Sequence, residues 1–147
     1  MISDPVAERT SGRSFEFRAK LTRLEGGLET LHSSVQLVRE HLGRDAGDRP
    51  LILFETALAE IGNNVLRYAL PPGSAEPLVE FELRLESETL TALLTDWGPP
   101  LHNQLTRAIP APTVETGRGL AIARKALDEL GYLREGKVNT WRLVKRL

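Results

Sequence analysis

The stretch Leu53-Phe54-Glu55-Thr56-Ala57-Leu58-Ala59-Glu60-Ile61-Gly62-Asn63-Asn64-Val65-Leu66-Arg67-Tyr68 carries an apolar stripe at helical spacing: Leu53/Phe54, Ala57/Leu58, Ile61 and Val65. Pro50 suits the first turn of that helix, where a missing amide costs no hydrogen bond. The stripe runs out at Pro71-Pro72-Gly73-Ser74, a turn signal. Glu60 and Asn64 lie one turn apart on the same face, close to the apolar stripe. Burying an unpaired polar group costs about 1–3 kcal/mol, and a charge costs more, so two such groups placed there call for a shared partner. A hard cation with phosphate oxygens fits: an Asn carbonyl ligates Mg²⁺, and a carboxylate orients or deprotonates a nucleophile. The alternative reading is a solvated Glu60 and a helix-terminal Asn64.

Upstream, Leu24, Leu28, Leu31, Val35, Val38 and Leu42 recur at steps of three and four, an amphipathic helix ended by Gly43. Before it, Phe15, Phe17, Ala19 and Leu21 alternate with Glu16, Arg18 and Lys20, the pattern of a half-buried strand. Downstream, Val79, Phe81, Leu83 and Leu85 alternate with charged residues, and Thr89 to Thr95 returns after a Ser87-Glu88 turn to end at Asp96. From Trp97 to Thr116 there is no periodicity, and four prolines exclude a long helix; an aperiodic stretch of this length is often a functional lid. A third helix is predicted over Gly119 to Leu130. A last hairpin follows, with strands Gly131 to Arg134 and Thr140 to Val144 around Glu135-Gly136-Lys137. The order strand, two helices, two strands, lid, helix, two strands predicts an α+β two-layer sandwich: a mixed or antiparallel sheet with helices packed on one face.

The 147 residues suffice for one domain, predicted over residues 14–147 behind a flexible polar tail at 1–13. With no cysteine, a disulfide framework, a thiolate zinc site and a cysteine nucleophile are excluded. His32, His41 and His102 share no ligand spacing, which speaks against a histidine metal site. His32 reads as a helix-surface residue. A formal charge of −1 gives no electrostatic case for nucleic acid or an anionic membrane. No apolar run is long enough to span a bilayer and the N-terminus lacks a signal-peptide core, so the expected compartment is the cytoplasm.

Two further segments carry chemistry. Asp96-Trp97-Gly98-Pro99 follows an apolar strand; an Asp there can accept from an exocyclic amine while the backbone turns around a flat ring, or it is a plain turn. Thr116-Gly117-Arg118-Gly119-Leu120 enters a helix directly. Its glycines and free amides favour a close-approaching anion, and Arg118 adds a charge-assisted contact. The plain alternative is a glycine-rich helix start capped by Thr116. Trp97 either shields a ring or is structural, Trp141 reads as core, and Arg142, Lys145 and Arg146 read as a solvated strand end.

The order and texture of these three segments resemble the GHKL ATPase superfamily, and most closely the bacterial anti-sigma-factor serine/threonine kinases. ALAEIGNNVLRYA resembles their N box, TDWGPP their G1 box, TGRGLAIARKALDEL their G2 box and VNTWRLVKRL their closing strand, so the likeness covers roughly residues 14–147. It implies the Bergerat fold, ATP and Mg²⁺. Carried over, Asn64 would ligate Mg²⁺, Glu60 would be the general base, Asp96 would accept the adenine amino group and Gly98 would give the ring room. Gly117, Arg118 and Gly119 would wrap the phosphates, Thr140 would help hold adenine, and Leu101 to Glu115 would be the ATP lid. Three departures stand out: Pro100 where a second glycine is common, Tyr68 where a histidine is common, and Asn63 beside Asn64.

The resemblance implies a kinase acting on a serine or threonine of a STAS-type antagonist. Phosphorylation would then decide whether antagonist or sigma factor is held. It also implies a homodimer, with contact through the first strand or first helix. The alternative is a nucleotide-gated binding module of the same fold with little or no kinase activity. A histidine-kinase reading is disfavoured, because Leu31-His32-Ser33-Ser34-Val35 lacks the acid and the Arg-Thr-Pro pattern of a phosphoacceptor site.

Overall fold

The computed structural model describes residues 5–8, 14–100 and 115–147. The elements are β1 (Val6–Glu8), β2 (Phe15–Leu21), α1 (Leu24–Leu42), α2 (Arg49–Tyr68), β3 (Val79–Glu86), β4 (Thr89–Asp96), α3 (Glu115–Ala126), β5 (Glu129–Glu135) and β6 (Val138–Arg146). The strands form one six-stranded sheet in the order β1-β2-β3-β4-β6-β5. Every pairing is antiparallel. The expected α+β layers are present, with an antiparallel rather than mixed sheet.

Alternation decides which face of the sheet is buried. Phe15, Phe17, Ala19 and Leu21 of β2, Val79, Phe81, Leu83 and Leu85 of β3, and Leu90, Ala92 and Leu94 of β4 all point into one core with Trp141 and Leu143 of β6. The opposite face carries crossed charges: Arg18 bonds Glu16 at 2.7 Å and Arg84 bonds Glu82 at 2.6 Å, with Arg84 also 3.4 Å from Glu16. A one-residue slip would bury these charges, so the pattern pins the register.

The helices lie on the apolar face, with α2 between α1 and α3. Helix α1 stops at Gly43, whose φ of 66° is left-handed, and Arg44 N–H closes back on the Arg39 carbonyl at 2.9 Å. Helix α2 starts with the Asp48 carboxylate accepting from Leu51 N–H at 3.2 Å. Where α1 crosses α2, a Leu31 methyl occupies the space a side chain at Gly62 would need. No described helix is long and apolar enough to cross a membrane.

Three boundaries differ from expectation. Helix α3 begins at Glu115 and ends at Ala126, so Thr116 lies inside it, and Leu130 belongs to β5, paired with Leu143. Leu127 and Leu130 are spaced for a helix, but pairing with β6 draws the chain into the sheet. Within the N-terminal stretch read as a tail, Val6–Glu8 pairs with Glu16–Arg18 of β2. The Leu101 to Glu115 lid falls outside the described residues except for Glu115, the first residue of α3.

Candidate nucleotide site

Helix α2 is the spine of the site. Its face carries Glu60 and Asn64, with Arg67 one turn further on. Asn64 is 3% exposed and its Nδ2 has no hydrogen-bond partner. Leaving such a group unsatisfied costs about 1–3 kcal/mol, so its amide is poised for a ligand. Glu60 is half-buried. Both line an open cavity of about 590 Å³ between α1 and α2, with Leu31 and His32 on one wall and Arg67 and Tyr68 towards one end. Exposed His32 pairs with Glu55 at its rim, as a surface histidine.

Two glycines bring the other segments onto α2. A side chain at Gly119, in the second turn of α3, would place its Cβ 2.6 Å from Glu60 Oε2. The glycine-rich segment therefore packs directly on the carboxylate. At the other end a Cβ at Gly98 would lie 2.6 Å from the Ala69 Cα and 2.9 Å from its carbonyl carbon. The 1.5 Å rise per residue separates Glu60 from Ala69 by about 13 Å along the axis, so the two contacts bracket the Asn64 face. Gly98 is thus needed where the strand-end turn meets the helix backbone. Arg118 is exposed, and Gly117 lies with it in the first turn of α3.

Asp96 closes β4 and is 1% exposed. Its Oδ1 accepts from Gly98 N–H at 2.9 Å and from Asn139 Nδ2 at 2.8 Å, while Oδ2 is buried with no partner. Burial pushes its carboxyl above the usual aspartate range; the bonds from Asn139 and Gly98 and the charge of Arg134 oppose that shift. An ionised Oδ2 offers only lone pairs, so it selects a hydrogen-bond donor. Asp96 does not line the α1–α2 cavity; it joins the site through the turn seated on Ala69.

The closing strand corrects the sequence reading. Thr140 pairs with Thr95, whereas Asn139 is the register partner of Asp96. Successive strand residues face opposite ways, so Thr140 points away from the Asp96 side of the sheet and is not placed to hold the same ring. Asn139, fully buried, bonds Asp96, the Gly98 carbonyl at 3.0 Å and the Pro99 carbonyl at 3.3 Å. Sequence reasoning missed it. The available signal was Trp141, already read as core: period two puts Asn139 on its face and excludes Thr140. Arg67, whose Nε donates to Asn63 Oδ1 at 3.2 Å, is the one arginine or lysine among the described residues that line the cavity, and the sequence reading passed over it. Trp141 is fully buried and its ring lies 4.8 Å from that of Tyr132, as expected of core; Trp97 is half-buried.

The donor set fits a magnesium-bound nucleotide. Among the described residues no cluster of three or more His, Cys, Asp or Glu side chains is built to cage a metal. One Asn oxygen with phosphate oxygens suits Mg²⁺, which keeps few protein ligands. The orphaned Oδ2 of Asp96 offers an acceptor to a base amine, and the orphaned Nδ2 of Asn64 offers a donor to a phosphate oxygen, while the Asn64 Oδ1 is the atom that would face the metal.

No curated protein matches the sequence at a significant level. A family model described as a histidine kinase-like ATPase domain matches residues 26–145. That span runs from the first turn of α1 to the end of β6 and contains every site contact above, so by sequence and by fold the chain belongs to the histidine kinase-like ATPase domain family.

Proposed function

We propose that this domain binds Mg-ATP and transfers the γ-phosphoryl group to a serine or threonine of a protein partner. One observation carries the reading: the Glu60 carboxylate rests on Gly119 at the start of α3, beside an open cavity and one turn from the orphaned amide of Asn64. Phosphoryl transfer needs an oriented nucleophile, neutralised charge and in-line geometry. Glu60 takes the proton as the acceptor oxygen attacks phosphorus and the bond to the ADP oxygen breaks. Asn64 would hold, through its Oδ1, a magnesium ion that would supply charge neutralisation at the phosphates, and Asp96 fixes the base through its free oxygen. The cavity leaves room for an acceptor side chain supplied by another protein.

By its resemblance to anti-sigma-factor kinases, the acceptor is a STAS-type antagonist and the alternative partner a sigma factor, exchanged when the antagonist is phosphorylated. A homodimer and a cytoplasmic setting belong to the same proposal. The test incubates the protein with γ-labelled ATP, Mg²⁺ and the STAS proteins of its own genome. Label on a partner serine or threonine that disappears with Glu60→Gln supports the kinase. Tight ATP binding without transfer to any of them identifies a nucleotide-gated binding module instead.

A further inference from the structure

We propose that Asn139, clamped by Arg134 and Tyr132, is the positioning residue that makes the buried end of β4 select a 6-amino purine over a 6-oxo purine. The inference rests on the adenine-nucleotide reading above.

The orientation of the Asn139 amide is fixed by its neighbours. Arg134 has donors only, and its Nη1 lies 2.9 Å from one amide atom, which must therefore be the oxygen. The Tyr132 hydroxyl donates to that same Oδ1 at 2.5 Å. The other amide atom faces three acceptors: Asp96 Oδ1, the Gly98 carbonyl and the Pro99 carbonyl. Both halves agree, so the nitrogen must face Asp96.

This arrangement commits Asp96 Oδ1 to two donors and leaves Oδ2 as an acceptor. An exocyclic amine satisfies it; a 6-oxo group sets oxygen against oxygen. Burial favours a protonated Asp96, which would donate and so tolerate the 6-oxo group; the Asn139 N–H opposes that protonation. Arg134 also donates to the Gly98 carbonyl at 3.0 Å, tying β5 to the turn that seats on α2. Asn139 touches no ligand in this scheme; it acts through Asp96.

The test measures calorimetric affinities for Mg-ATP and Mg-ITP, which differ at the 6-substituent and at the adjoining N1, bare in ATP and protonated in ITP. The proteins are wild type, Asn139→Ala, Arg134→Met and, as comparator, Asn64→Ala. Wild type should prefer ATP. Asn139→Ala should lower the ATP:ITP affinity ratio about tenfold or more, as expected for a lost hydrogen bond to a charged group. Arg134→Met should move it the same way by less, and Asn64→Ala should weaken both nucleotides while sparing the ratio. Arg134 lies on the partly exposed edge strand, so Arg134→Met gives the decision should Asn139→Ala not fold. A folded variant of either whose ratio stays within about twofold of wild type overturns the proposal while ATP binding stands. Wild type that binds neither nucleotide overturns the nucleotide reading, and this inference with it.

Discussion

Gly98 and Gly119 both close against α2, but they meet different matter there. At Gly98 the wall is backbone, the Ala69 Cα and carbonyl carbon and the Leu70 nitrogen, none of which can rotate away. At Gly119 it is the far end of the Glu60 side chain, which can swing. The Gly98 end, proposed above to hold the base, is therefore rigid, with Asp96, Asn139, Tyr132 and Arg134 bonded in a network in which Asp96 Oδ2 is buried without a partner. The Gly119 end, proposed above to hold the phosphates, is adjustable. Recognising a flat base rewards rigidity, since a mispaired buried polar group costs affinity. Transferring a phosphoryl group needs a carboxylate that can take a proton and then release it.

The contrast can be broken or sharpened by substitution. The largest effect is expected from Glu60→Gln, which keeps shape and hydrogen bonding but removes the base. Phosphoryl transfer should fall by roughly 10²–10⁴-fold while the Mg-ATP thermal shift persists. Single-turnover assays beside melting curves check this, and equal loss of binding and transfer would show Glu60 to be a ligand contact only.

Gly98→Ala should be next. A methyl forced against helix backbone should destabilise the fold by about 1–3 kcal/mol, read as a lower denaturation midpoint at constant slope. A stability equal to wild type would mean that the turn does not bear on α2.

Gly119→Ala should separate fold from chemistry. Replacing a helical glycine by alanine favours the helix by about 0.5–1 kcal/mol, so the melting temperature should hold or rise. The new methyl displaces the Glu60 carboxylate, and transfer should fall by about tenfold, a misplacement effect. Lost stability with intact transfer would reverse the assignment of the adjustable end.

The smallest effect is in pH. Asp96 must be ionised to accept an amine, and burial raises its pKa. ATP affinity should therefore weaken on acidification at a pH above the ordinary aspartate range, a decline absent in Asp96→Asn. Stability of the free protein runs the other way: the folded state holds the Asp96 proton more tightly than the unfolded chain. This contribution is full below the unfolded pKa and is lost as pH rises through the folded one. Calorimetric titration across pH, with and without nucleotide, tests both signs.

Helices α1 and α2 and strands β2, β3 and β4 were legible because each repeats its own period over many residues. The start of β5 was not, because Leu127 and Leu130 suit a helix locally and only pairing with Val144 and Leu143 decides otherwise. Glu60, Asn64 and Asp96 could be singled out as polar residues at apolar places. Asn139 was legible only as far as its face, two residues before Trp141; its pairing with Asp96, forty-three residues away in the chain, was not.

By itself, the amino-acid order determined the layers, the buried faces and the short motifs, since those depend on spacings of two to four residues. The tertiary structure alone decided that Gly98 abuts the end of α2, that Gly119 rests on Glu60 and that Asn139 rather than Thr140 attends Asp96. Those contacts arise from strand register and helix approach, which bring distant residues within a few ångströms; local periodicity assigns a residue its face but not its partner.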